Sequence, residues 1–494
     1  MERSHPHMLR TIPMQLRTAR STLGLLGLSI IGAIVVGATI TGEVDAYLGS
    51  RFSLVLLGTL LVTIFIVIFA DLPPAAILIA WAPLAAALWA FVRVPRDPPV
   101  LTFDRLWIGG MLAYLIFRPR SLERSRESRL LMLALLCLLA SYGIRVFAGG
   151  ASITTPAAAN WFDAIVLPAI LFVTVSRFCD TSARAQGITG SLAVAGGVLG
   201  GIGIAERVLS FNLSSLNGVA ARLDLSLHEI RVSGPYQVPE PYALSLVICL
   251  AATLYWVQTR RPRPYAWGVL LVALEVAGIA LTLFRAAWLA GLIVVIASIG
   301  LRPQRFGRAL LTLGAVLVLV AAANTSLEQN QTYTARIKER NNIYGRLATY
   351  QQGFEIFRDA PLFGVGVDNY TVASQDRAPV YVNNVQSIDF PHNSYVAVLA
   401  EQGLTGFVPL LLLTFAVWRL IRGLRRRAAS EDVRVLVGVL SGAAIGYLLM
   451  SLTLTMLAFS PSNLFFAALL GVGAGRLDSQ SPVQPRAEEG IPGN

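Results

Sequence analysis

Residues 118–148 read RPRSLERSRESR followed by LLMLALLCLLASYGIRVFA. A linker carrying Arg118, Arg120, Arg124, Arg126 and Arg129 gives way to a run in which Arg145 is the lone charge. A bilayer core roughly 30 Å thick takes about 20 apolar residues as a helix. Helix is the required form, because lipid offers no partner to an exposed backbone N–H or C=O. Arginines packed against one end of such a run hold that end on the cytoplasmic side. This stretch therefore reads as a membrane-spanning helix with its N-terminal end inside.

The pattern recurs along the chain. About fourteen apolar segments of this kind fall near 23–41, 52–70, 74–92, 100–117, 130–148, 161–178, 187–205, 241–258, 265–284, 286–301, 309–323, 393–418, 433–459 and 462–476. The segment at 100–117 is the weakest, since Asp104 and Arg105 lie in it. The expected fold is an all-α, polytopic transmembrane bundle of about 12–14 spans. Composition agrees: 55% of the 494 residues are hydrophobic and only 14% charged, with a mean hydropathy of +0.63. A soluble domain carries roughly 25% charged residues. The formal charge of +12 would suggest nucleic acid in a soluble protein, but here the cations sit mostly between apolar runs and set topology. Cys137, Cys179 and Cys249 lie in or beside apolar runs without metal-type spacing and read as small hydrophobes.

Alternation from a cytoplasmic N-terminus puts every basic block inside: the tail 1–22, the 118–129 linker, Arg260–Arg263, Arg302–Arg308 and Arg419–Arg427. One short loop disagrees: Arg93 and Arg96 would lie outside. The expected organisation is a cytoplasmic basic tail at 1–22, N-terminal helices over 23–205, a second membrane region over 206–476, and a flexible cytoplasmic tail at 477–494. Two long segments fall outside, 206–240 and 324–392. The second is the longest polar stretch. It should carry a surface helix at Tyr344–Arg358 and turns at Asp359–Pro361 and Gly364–Gly366. Its apolar residues Phe354, Ile356, Phe357, Leu362 and Phe363 suggest a packed lid.

The outer segments are rich in cations, which the positive-inside tendency disfavours. They include Arg207, Arg222, Arg231, Arg336, Lys338, Arg340, Arg346 and Arg358, and Arg285 sits at a break between two apolar runs. These side chains either bind lipid headgroups and nearby carboxylates or form a functional cluster. For Arg231, Arg285 and Arg346 the functional reading is favoured. Guanidinium matches phosphate oxygens with two parallel donors and stays charged. A pyrophosphate leaving group gains negative charge as its bond to carbon breaks, and fixed cations stabilise it. No Asp, Glu and His set with metal-ligand spacing occurs in these segments, so no cofactor or metal is expected. His392, where the long loop meets a helix, is either a proton acceptor for a sugar hydroxyl or an interfacial residue at a helix start closed by Asn393 or Ser394. Tyr236, His228 and Glu240 are weaker candidates of the same type.

Five blocks carry a resemblance: Arg231-Val232-Ser233-Gly234, Phe284-Arg285-Ala286-Ala287-Trp288, Gly345-Arg346-Leu347 leading to Pro361-Leu362-Phe363-Gly364-Val365-Gly366, His392-Asn393-Ser394-Tyr395, and Glu401-Gln402-Gly403-Leu404-Thr405-Gly406. In this order, across roughly 200–475, they resemble the O-antigen ligase and O-antigen polymerase superfamily. The resemblance implies an all-helical membrane glycosyltransferase whose periplasmic loop roofs the site. It implies metal-independent, inverting transfer of a glycan from undecaprenyl diphosphate to an acceptor hydroxyl on a glycan or lipid. The cellular setting implied is the bacterial cytoplasmic (inner) membrane, with both termini cytoplasmic and the site extracytoplasmic.

In family terms Arg231, Arg285 and Arg346 would hold the diphosphate and His392 would assist the acceptor; from their own positions Arg222, Glu240 and Tyr236 are further candidates for substrate binding. One departure is Val238-Pro239-Glu240-Pro241, where the family often has Asn-Pro. Glu240 is then either an acceptor-side base or an acid at a helix N-terminus. The alternative from another class is a transporter or flippase for an anionic lipid or sugar, which many spans and outer cations also suit.

Overall fold

The computed structural model describes residues 74–89, 93–94, 101–117, 124–148, 155–209, 213, 231–236, 238–262, 264–299 and 341–480. The expected runs near 23–41, 52–70 and 309–323, the tail 1–22, the tail beyond residue 480, and Arg222, His228, Arg336, Lys338 and Arg340 lie outside these residues, while Leu477 and Asp478, expected in the flexible tail, complete a helix. The described helices belong to the compact unit Leu78–Asn494, whose start falls inside the first of them.

The protein is an all-α, polytopic helical membrane protein. We number its helices α1 (Pro74–Leu88), α2 (Phe103–Phe117), α3 (Arg126–Ala148), α4 (Pro156–Phe178, with one π-turn at Phe162–Val166), α5 (Ser182–Leu209), α6 (Pro239–Thr259), α7 (Tyr265–Leu281), α8 (Arg285–Ile299), α9 (Asn341–Asp359), α10 (Tyr370–Gln375), α11 (Ser394–Arg426), α12 (Glu431–Ser451) and α13 (Ser460–Asp478). Two short two-stranded ribbons are the strands among the described residues, Arg93–Val94 with Leu101–Thr102 and Tyr381–Val382 with Val385–Gln386. Helices α3, α4, α5, α6, α11 and α12 are long and apolar enough to cross a membrane, while α1, α7 and α8 are shorter apolar helices.

Packing follows from side-chain size. α6 is apolar all round, from Tyr242 to Tyr255, and is correspondingly the most enclosed span. On α12, Gly438, Gly442 and Gly446 recur every fourth residue and let α8 come close. A Cβ at Gly438 would lie 2.3 Å from the Ala297 carbonyl oxygen, and one at Gly442 would lie 2.7 Å from Val294 Cα. Small residues at this spacing are the usual means of close approach in lipid, where apolar side chains gain nothing by leaving the bilayer. The charges inside α2 are neutralised by partners. Trp81 Nε1 donates to Asp104 at 3.0 Å, and Arg105 pairs with Asp163 at 2.6 Å.

Polar contacts sort to two ends of the bundle. At one end the start of α3 meets the finish of α13, where Ser128 Oγ donates to Asp478 at 2.7 Å. There too Arg476 pairs with Asp432 at 3.0 Å, and the Arg427 guanidinium reaches the Leu477 carbonyl. At the other end the finish of α3 meets the long loop, where Arg145 donates to the Gly364 carbonyl at 3.2 Å. Helices α3 and α11 run in opposite senses between these ends, as alternation of spans requires.

The long loop carries helix α9 as expected, over Asn341–Asp359. The lid is packed on one face only. Ile356, Ala348, Thr349 and Gln352 are buried, whereas Phe354, Leu362 and Phe363 are about half exposed, together with Ile343 and Leu347. The reason is helical period: residues 349, 352 and 356 share one stripe of α9, and 343, 347 and 354 fall on the opposite one.

Candidate functional site

The site lies at the loop end of the bundle and is assembled from three segments. The first is 231–236, a short piece sewn onto the break between α7 and α8. Val232 N donates to the Leu281 carbonyl at 3.2 Å, and Arg231 Nε donates to the Thr282 carbonyl at 2.9 Å. The Glu206 carboxylate accepts from Gly234 N at 2.8 Å and holds the segment from α5. Gly234 has a positive φ of 60° and lies against the Tyr242 ring, where a Cβ would stand 2.5 Å away. The free end of Arg231 pairs with Glu240, in the first turn of α6, at 2.9 Å. Both side chains are mostly buried, at 20% and 15% exposed. Glu240 is thus an acid in a helix first turn and also a partner for a buried guanidinium.

The second segment is the break itself. Leu283 adopts a left-handed φ of 54°, which reverses the chain and delivers Arg285 as the first residue of α8. Arg285 is exposed there. A cation at a helix N-terminus opposes the helix dipole, so its charge adds to that of the free N–H groups. The two together favour an anion.

The third segment joins α9 to the start of α11. Thr349 Oγ1 donates to the Gly345 carbonyl and accepts from Ile388 N at 2.9 Å, tying the strand before His392 to α9. Tyr350 OH is shared between the carbonyls of Leu452, at 2.7 Å, and His392, at 3.2 Å. Arg346 lies one turn before Tyr350 on the same face of α9. Asn393 caps α11, its side chain accepting from Tyr395 N at 2.8 Å and Val396 N at 3.3 Å. His392 is therefore fixed just ahead of a helix N-terminus, with its ring edge-on to Phe390. Its Nδ1 is buried and makes no hydrogen bond. Burial, and then the Arg346 charge, hold the imidazole down at about 4, while Glu240 pulls the other way. The neutral ring is the form present at pH 7.

His392 thus stands in the fields of both Arg346 and Glu240, and Glu240 is bonded to Arg231. These four residues share one neighbourhood, and Arg285 lies three residues beyond the carbonyl that Arg231 grips. Tyr236 is placed differently. It is 2% exposed, with its ring against Trp89 and Tyr242. Arg222 falls outside the described residues. Among the described residues no group of three His, Cys, Asp or Glu is gathered to hold a metal ion.

The glycine-rich blocks turn out to lace loop to helix. Val365 N and Gly366 N donate to the carbonyls of Ala400 and Glu401, and Leu404 N and Thr405 N donate back to those of Pro361 and Leu362. Gly403 breaks α11 with a φ of 61°, and Gly364 opposes it at 64°. Arg145, the lone charge of its run, and Glu401, the head of its block, carried no expected site role in the sequence. Arg145 anchors this turn through Gly364 and lies over the Phe363 ring, and Glu401 Oε1 accepts from Tyr370 N at 3.3 Å. The signal available was a lone ionisable residue inside an apolar run.

Residues 270–411 match the family described as O-Antigen ligase. This is narrower than the 200–475 resemblance in sequence: it holds Arg285, Arg346, His392 and the laced glycines, and leaves out Arg231 and Glu240. No curated protein matches the chain. A solved chain from "Structural coordination of polymerization and crosslinking by a peptidoglycan synthase complex" is 17% identical, over 71% of this chain and 98% of that one, with a TM-score of 0.36.

Proposed function

With an O-antigen ligase domain over residues 270–411 as the premise, we propose that this membrane protein transfers a glycan from undecaprenyl diphosphate to an acceptor hydroxyl on the extracytoplasmic face of the cytoplasmic membrane. The observation that carries the proposal is an unpartnered, neutral His392 that feels both Arg346 and Glu240, the carboxylate with which Arg231 pairs.

In this reaction the acceptor oxygen attacks C1 of the donor sugar and the bond from C1 to the diphosphate oxygen breaks. The electron pair leaves on the diphosphate, and the configuration at C1 inverts. Arg231, Arg285 and Arg346 supply fixed positive charge where that negative charge grows, in a partly water-excluded setting where such interactions are strongest. The His392 imidazole takes the acceptor proton. Glu240 keeps Arg231 extended between substrates and gives it up when a phosphate oxygen competes. An apolar cavity of about 600 Å³ opens beside the site among α3, α4, α11, α12 and α13 and suits a lipid chain.

The test is purified protein in detergent, with no gradient, given a lipid-linked donor together with a glycolipid acceptor that bears free sugar hydroxyls. Release of undecaprenyl diphosphate is expected, and Arg346→Ala and His392→Ala should each lower it at least a hundredfold, in line with loss of one charge-stabilising or proton-transfer group. A normally expressed, fully active Arg346→Ala variant would overturn the proposal. Absence of donor turnover by correctly folded protein would favour a transporter instead.

A further inference from the structure

A second, smaller cleft adjoins His392. Its volume is about 130 Å³, and Phe390, Pro391 and Ser394, the residues around His392, form part of its wall. The rest comes from α3, α4, the 367–371 turn, α11 and the 455–458 turn; α6, α7, α8 and α9 contribute nothing. The cleft therefore contains none of the arginines. His392 stands at the seam, its neighbours walling the cleft while its ring feels Arg346 and Glu240.

The chemistry of this cleft is opposite to that of the arginine cluster. Asp368 and Glu401 both line it, with Asn160, Tyr142 and Trp161. Asp368 adopts a left-handed φ of 61° and takes a hydrogen bond from the Asn160 side chain. Thr455 also lines the cleft. It is 8% exposed, and its buried hydroxyl has no hydrogen-bond partner. A buried hydroxyl without a partner is costly unless something else satisfies it, and here it borders an open cleft.

With two acidic side chains and no cation in its wall, the cleft disfavours a diphosphate. A neutral polyol suits it: a carboxyl group exchanges hydrogen bonds with sugar hydroxyls, and aromatic rings cover the apolar face of a sugar. Pockets for drug-sized ligands start at roughly 300 Å³, so this cleft suits a single sugar ring.

We propose that this cleft is the acceptor subsite, taking the sugar whose hydroxyl attacks, with Glu401, Asp368 and Thr455 as its recognition residues. The assignment to acceptor rests on the glycan-transfer reading above. Inversion at C1 demands that nucleophile and leaving group lie on opposite sides of the donor sugar. The arginines take the leaving group, which leaves the other side of His392 for the acceptor. The cleft also shares Ala164, Ile165, Ser394 and Leu457 with the 600 Å³ apolar cavity, so an acceptor sugar can be carried on a lipid chain lying there.

The test uses the full chain in nanodiscs and two kinds of probe. Methyl β-D-glucopyranoside, methyl β-D-galactopyranoside, methyl α-D-mannopyranoside and methyl 2-acetamido-2-deoxy-β-D-glucopyranoside are screened by saturation-transfer NMR, and inorganic pyrophosphate is titrated by calorimetry. At least one glycoside should bind, and Glu401→Gln and Thr455→Val should each weaken it fivefold or more. Thr455→Val removes a hydroxyl with no protein partner, so it folds like the wild type and stands in should Glu401→Gln misfold. Binding of no glycoside in the panel, or equal binding by wild type and Thr455→Val, overturns the subsite. The pyrophosphate arm reports separately: its failure in wild-type protein counts against the glycan-transfer reading and leaves the sugar cleft standing.

Discussion

The pH dependence of transfer can be worked out from the surroundings of one imidazole. Burial and the Arg346 charge hold His392 at about 4 rather than the usual 6.5. A base acts when unprotonated, so activity is present above its folded-state value and is lost as pH falls through it. At pH 5.5 a group titrating at about 4 is roughly 97% neutral, while one at 6.5 is about 9% neutral. The two cases differ about tenfold at that pH.

The assay is donor turnover by full-length protein in nanodiscs between pH 4.5 and 8, at low and at saturating donor. The low-donor limb, kcat/KM, reports the free enzyme, and the saturating limb, kcat, reports the complex. The expected kcat/KM is flat from pH 8 to pH 5.5. A bound diphosphate offsets Arg346, so the acid limb of kcat should move to higher pH than that of kcat/KM. A tenfold loss of kcat/KM between pH 7.5 and 5.5, with no upward shift in kcat, would refute the claim that burial and Arg346 keep His392 neutral in the free enzyme.

Two further outcomes follow from local geometry. Gly403→Ala places a Cβ 2.6 Å from the Leu362 and Pro361 carbonyls at a left-handed φ of 61°, and should cost about 2–4 kcal/mol, read as a lowered Tm in detergent; an unchanged Tm would show that the kink tolerates a side chain. Asn393→Ala removes the α11 cap and should cost about 1 kcal/mol in chemical unfolding, with Asn393→Asp retaining most of it.

The spans were legible because run length alone decides them. The run near 130–148 becomes α3, and that near 241–258 becomes α6. The doubtful 100–117 segment forms the 15-residue helix α2, which is not among the helices long and apolar enough to cross a membrane; Trp81 and Asp163 bond its Asp104 and Arg105, and both lie well away in sequence, so nothing local announced them. The candidates Arg231, Arg346 and His392 were legible as cations or imidazole where topology disfavours them. Their relation to Glu240 was not, since it depends on segment 231–236 being pinned by Glu206 from α5. Tyr236 looked like a polar group near the site, but its ring body seats it between two aromatics. The cleft at Asp368 and Glu401 escaped notice because each carboxylate is solitary in sequence and only the fold pairs them.

The backbone lacing between 361–366 and the Gly403 kink has a mechanical meaning. Four hydrogen bonds running both ways weld the turn to the helix, so neither can shift without the other. Helix α11 begins two residues after His392 and is interrupted nine residues into its length, which makes its first two turns a short stiff arm. A shift of the 361–366 turn is handed through that arm toward the imidazole, so the loop and His392 are mechanically coupled.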